Sequence, residues 1–101
     1  MIGFLRRIFD GSKRLDGLLV TVYSRKGCSC CHKAIDLLKP YQERDGFQIE
    51  VIDIDTDPTL VEAYGIEIPV VAFDGKVRFK GVVNPVLLER LLRNRAAGQN
   101  D

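Results

Sequence analysis

The sequence predicts one α/β domain, a mixed four-stranded sheet flanked by helices in the order β-α-β-α-β-β-α. Three observations carry that expectation. Apolar, β-branched runs of strand length alternate with segments whose apolar residues recur every three or four positions. The first two strand-like runs are separated by a helical segment, which forces a parallel crossover. The last two are separated by Asp74-Gly75 alone, a two-residue hairpin signal. The length of 101 residues suits a single domain with a modest core.

Residues 1–16 stand apart as an N-terminal extension. Ile2, Leu5, Ile8 and Phe9 fall on one side at helical spacing, with Arg6, Arg7, Lys13 and Arg14 elsewhere. That pattern predicts a short helix packed on the domain, with a membrane-surface helix as the alternative. The domain proper is assigned to residues 17–95.

Leu18 to Tyr23 reads as a buried strand, and Ser24 to Gly27 as a loop. From Cys28 the period changes: Cys31, Ala34, Ile35 and Leu38 lie on one helical face. Pro40 is expected to kink that helix or end its first segment. Asp45-Gly46 reads as a turn, and Phe47 to Ile54 as the second strand.

Asp57-Pro58 supplies a cap followed by proline at the first helical position. Leu60, Val61 and Tyr64 form that short helix's apolar side, and Gly65 is its expected stop. Val70 to Phe73 is the third strand. In the fourth, Val77 and Phe79 alternate with Lys76, Arg78 and Lys80, which suits an exposed edge. Asn84-Pro85 opens a last helix carrying Leu87, Leu88, Leu91 and Leu92. Residues 96–101 read as a disordered tail.

Lys+Arg 15 against Asp+Glu 14 gives a net charge of +1, which argues against a nucleic-acid partner. No apolar run is long enough to span a membrane. The start, Met1 to Arg7, lacks the uninterrupted apolar stretch of a secretory signal. These features predict a cytoplasmic monomer.

The three cysteines, Cys28, Cys30 and Cys31, lie within four positions. An odd, clustered set is no disulfide framework, so redox chemistry or metal binding is indicated. Cys28 falls where the first loop becomes a helix. Unpaired N–H groups of the first turn face its sulfur, the helix dipole favours negative charge there, and Arg25 and Lys26 add positive charge nearby. All three favour the thiolate, which is the nucleophile. Cys31 is one turn on and begins the apolar stripe. The spacing lets the two sulfurs form a redox disulfide, with Cys28 attacking and the shielded Cys31 resolving.

Cys30 is expected to point outward as a surface thiol, and His32 to be an exposed helix residue. A mononuclear metal site is disfavoured. Cys28, Cys30, Cys31 and His32 are packed into five positions, and consecutive helical residues diverge by about 100°. A metal or iron–sulfur carrier sharing a cluster between two chains stays open as an alternative, as does a binding module with incidental cysteines.

The run TVYSRKGCSCCHKAIDLL, then VIDIDTDP, then YGIEIPVVAFDGK, then a closing helix after a glycine, resembles the glutaredoxin-like proteins of bacteria, a branch of the thioredoxin superfamily. The similarity spans roughly residues 18–95. It implies a thioredoxin-like fold and dithiol exchange on protein or low-molecular-weight disulfides. It also implies that Ile68-Pro69 is a cis-proline loop beside the cysteines. Substrate or glutathione contact is implied for Arg25, Lys26, Ile68, Pro69 and Gly81. No metal or other cofactor is required by that chemistry, and glutathione is the candidate reductant. Ser29-Cys30 between the redox cysteines, and Glu67 two residues before Pro69, depart from the pattern of well-known glutaredoxins.

Overall fold

The computed structural model describes residues 15–98, so the expectations for residues 1–14 and 99–101 lie outside the described residues. Strand β1 (Leu19–Ser24) leads through helix α1 (Ser29–Asp45) to β2 (Gln48–Asp53). A 3-10 turn (Ile54–Thr56) and α2 (Pro58–Tyr64) follow, then β3 (Val70–Phe73), β4 (Lys76–Lys80) and α3 (Pro85–Ala96). The sheet order is β2-β1-β3-β4, with β1 parallel to β2 and the other neighbours antiparallel. This is the predicted mixed α/β architecture.

Strand periodicity decides which helix covers which face. Val20 and Val22 of β1 and Val71 and Phe73 of β3 join one buried cluster with Ala34 and Leu38 of α1 and Leu88, Leu91 and Leu92 of α3. The alternate residue Tyr23 points the other way and stacks on Tyr64 of α2, ring centroids 4.8 Å apart. Helices therefore lie on both faces. Leu15, placed by the sequence reading in the extension, is buried in the first cluster, and its N–H donates to the Asp45 carbonyl at 2.9 Å.

Four local expectations are corrected. Helix α1 runs unbroken through Pro40. The proline is exposed, so the carbonyl it leaves unmet is on the solvent side, while Leu38 is fully buried and Leu37 and Tyr41 pack against the cluster. A proline inside a helix costs about 3 kcal/mol, which that burial offsets. Asp45 ends the helix and Gly46, at φ 85, caps it in the left-handed conformation. Gly65 stops α2 as expected, though at φ −53 and not in the left-handed conformation. A side chain there would place Cβ 2.6 Å from the Val61 carbonyl oxygen, so close approach is what requires glycine.

The third correction is a bulge. Val71 pairs with Phe79 but Ala72 with Val77, so Arg78 is an extra residue in β4. Val77 and Phe79 consequently face opposite sides of the sheet. Only Phe79 reaches the α1/α3 cluster. The hairpin itself closes through Asp74 at φ 49 and Gly75 at φ 86, the two positive values that an Asp-Gly turn accommodates. Helix α3 extends through Ala96, where the sequence reading begins its tail. No helix among the described residues is long and apolar enough to cross a membrane.

Candidate active site

The cysteine turn follows from a few residues. The N–H of Cys28 donates to the Arg25 carbonyl at 3.2 Å, closing a four-residue turn whose third member, Gly27, has φ 77. Glycine takes that conformation at no steric cost. Cys28 is then the N-cap of α1, in extended conformation, and its Sγ accepts the N–H of Cys31 at 3.2 Å. A helix start thus directs a backbone donor at the Cys28 sulfur, as its position in the sequence led us to expect.

Cys31 is 1% exposed and heads the buried stripe of α1. Its Cα lies 5.3 Å from that of Cys28 and the two sulfurs are at disulfide distance. Cys30 is free and exposed. His32 is exposed as well. Among the described residues, no group of three or more His, Cys, Asp or Glu side chains is placed to hold a metal ion.

Arg25 is less available than its position suggests. Its guanidinium grips Asp55 of the 3-10 turn with Nε at 3.1 and 3.0 Å and Nη2 at 2.7 Å. The hydrogen bonds raise the pKa of Arg25 and lower that of Asp55. The Asp55 carboxylate therefore offsets the positive charge expected at Cys28, and sequence reasoning missed it because thirty residues separate the pair. Lys26 is exposed and adds its own field at Asp55. Arg25, Lys26 and His32 border a hollow of about 370 Å³ that also takes in Ile35 and Val51.

Ile68, Pro69 and Gly81 come together at the neighbouring strand ends. Tyr23 pairs with Val70, so β3 begins beside the end of β1 from which the cysteine loop departs. The Ile68–Pro69 bond is cis and Pro69 is fully buried. The N–H of Gly81, at φ 84, donates to the Pro69 carbonyl at 2.8 Å. Glu67 forms an ion pair with Lys80 at 3.5 Å.

Pro69 and Gly81 share a groove of about 280 Å³ with Cys30, Lys33, Val82 and Val83. Sequence reasoning placed Cys30 outward but did not foresee this groove. The signal was present in part, since Val82 and Val83 interrupt the approach to α3 with apolar side chains. A larger hollow, about 510 Å³, lies between α1 and α3 around Tyr41, Val86 and Arg93, and includes none of the cysteines.

The fold has known counterparts. The family model for the glutaredoxin-like domain (DUF836) matches residues 19–93, most of the chain. The chain belongs to this glutaredoxin-like family. Among solved structures, a Nitrosomonas europaea protein is 27% identical to this glutaredoxin-like chain, with a TM-score of 0.65 over 72% of it and 88% of the other protein. An X. campestris protein is 28% identical, with a TM-score of 0.61 over 73% of this chain and 95% of its own. A thioredoxin variant from Halobacterium salinarum, 20% identical, superposes with a TM-score of 0.56 over 84% of this chain and 79% of its own. That last likeness establishes the thioredoxin-like fold of this glutaredoxin-like domain and nothing further.

Proposed function

We propose that the protein is a thiol–disulfide oxidoreductase that works by dithiol exchange. The observation that carries this reading is the N-cap position of Cys28, whose sulfur accepts a first-turn N–H while the buried Cys31 sulfur lies at disulfide distance. A thiolate at a helix start is held by backbone donors and by the dipole, which suits it to attack. The Cys28 thiolate attacks one sulfur of a substrate disulfide. A Cys28–substrate bond forms, the substrate S–S bond breaks, and the departing sulfur leaves as thiolate and takes up a proton. Cys31 then loses its proton and attacks the Cys28 sulfur. The Cys28–Cys31 bond forms, the second substrate thiol departs, and two electrons have passed to the substrate.

The chemistry needs no metal or other cofactor, and the resting dithiol is regenerated by a thiol reductant, for which glutathione is the candidate. Such a cycle suits a reducing compartment such as the cytoplasm. The exposed turn around Cys28, with Ile68 and Pro69 alongside, gives an extended substrate segment a backbone to pair with. In this reading the substrate is a protein or small-molecule disulfide and the chain acts as a monomer.

The test is reduction of insulin disulfides by the reduced protein, with wild type and Cys28→Ser side by side. Activity in wild type and its loss in the variant support the reading. An inactive wild type, or equal rates, overturns it.

A further inference from the structure

The hollow of about 510 Å³ between α1 and α3 has no part in the chemistry above. Its α1 member, Tyr41, follows Cys28 by thirteen residues, roughly 20 Å along the helix. Tyr41 packs on the core from α1, and Pro85 and Val86 open α3 on the other side. Hydrogen bonds decide what the hollow lacks. Both oxygens of Glu89 are taken, Oε1 by Arg44 Nη1 at 2.9 Å and Oε2 by Arg93 Nε at 3.0 Å. These guanidiniums, Arg44 foremost, hold the Glu89 carboxyl below its ordinary range. Arg44 gives its other two nitrogens to Asp45 at 2.9 and 2.8 Å, and its guanidinium lies over the Tyr41 ring at 5.2 Å. Three guanidiniums thus stand against two carboxylates. Among the described residues, Arg90 has no carboxylate partner and Arg93 bonds through Nε alone. The hollow has hydrogen-bond donors in excess of acceptors, set beside apolar side chains.

We propose that this hollow docks an acidic, apolar segment of a partner protein. One aliphatic or aromatic side chain of the partner lies against Val86 and Tyr41, and a neighbouring aspartate or glutamate meets Arg90. Charge complementarity selects the acid, because a guanidinium fork takes a carboxylate through two parallel bonds and the Arg90 fork holds none. Openness selects a protein segment over a small molecule. Small-ligand pockets bury roughly 70–90% of what they bind, whereas Val86 is 71% exposed and the Arg93 side chain 78% exposed. A segment held here does not occupy the cysteine turn. The proposal goes beyond the dithiol reading and does not depend on it.

The test selects peptides on the full chain from a random linear phage library without cysteine, so that nothing is captured through sulfur. Recovered peptides are synthesised with a fluorescein label and titrated by anisotropy against wild type, Arg90→Glu and Val86→Asp. Both positions are exposed, and either variant decides alone if the other melts differently from wild type. The expected peptides join an aspartate or glutamate to an aliphatic or aromatic residue. Arg90→Glu should weaken their binding about fivefold, the factor for one exposed ion pair. Val86→Asp should weaken it about tenfold, the factor for one valine-sized apolar contact. Added salt should weaken binding to wild type and narrow its lead over Arg90→Glu. Recovery of no peptide, no acidic excess over the unselected library, or unchanged binding in a folded variant overturns the proposal. Binding that survives replacement of the peptide's apolar residue by serine reduces the hollow to a plain anion patch and overturns it too. Self-association of wild type that Val86→Asp abolishes gives the hollow to a second copy of the chain, with the same consequence.

Discussion

Cys28 has two jobs, and a pair of substitutions separates them. Its sulfur is the proposed nucleophile and also the acceptor that caps α1 through the Cys31 N–H at 3.2 Å. Cys28→Ser removes the nucleophile but keeps a side-chain acceptor at the same place. Cys28→Ala removes both. Replacing an N-cap serine by alanine costs about 1 kcal/mol. In a domain of this size 1 kcal/mol moves the thermal midpoint by roughly 4–8 °C. Under reducing conditions, where no disulfide contributes to either variant, Cys28→Ala should therefore melt about 4–8 °C below Cys28→Ser. Thermal denaturation followed by circular dichroism reads the difference, and insulin reduction should be absent from both. Coincident melting curves would refute the capping role. Residual exchange in Cys28→Ser would refute the assignment of the nucleophile.

Leu38→Ala should destabilise the domain by about 2–5 kcal/mol in urea titration, because Leu38 is fully buried between α1 and the sheet. Asp55→Asn should free the Arg25 guanidinium from its strongest partner and speed alkylation of Cys28 at neutral pH a few-fold. An unchanged rate would show that Arg25 acts only as a strut for the 3-10 turn. The Asp74 carboxyl is held below its ordinary value of 3.8, first by the Arg95 guanidinium and then by the Leu19 N–H. A depressed folded-state value contributes stability above the ordinary carboxylate range that is lost as pH falls through the lowered value. Asp74→Asn, which keeps the turn and an acceptor for Leu19, should thus show a shallower loss of stability below about pH 4 in urea titrations.

The parts of the molecule legible in the sequence are those set by neighbours along the chain. Asp57 and Asn84 cap the helices that follow them through bonds to residues two and three positions on. Asp74-Gly75 makes its hairpin because the two left-handed residues are adjacent. The placement of Cys28 and Cys31 belongs to the same class, since a strand end, a glycine turn and a helix start determine it. What was hidden depends on distant partners. Nothing local to Arg25 announces Asp55. The bulge at Arg78 arises from how β4 pairs with β3, and the pattern Val77, Arg78, Phe79 reads as plain alternation without it. Pro40 misleads because its penalty is local while the burial of Leu38 that outweighs it comes from the sheet. The groove at Cys30 is assembled from α1, the Pro69 loop and the β4–α3 loop, three stretches that no spacing rule joins.

The bond from the Leu15 N–H to the Asp45 carbonyl fixes where the chain enters the domain. Asp45 closes α1, and Cys28 opens it. Seventeen helical residues at about 1.5 Å each put these two ends roughly 25 Å apart. Leu15 therefore lies at the pole of α1 opposite the cysteines. A label or support bonded at Leu15 itself would hold the molecule by that end and leave the Cys28 turn at the far one, with the long axis of α1 as the spacer.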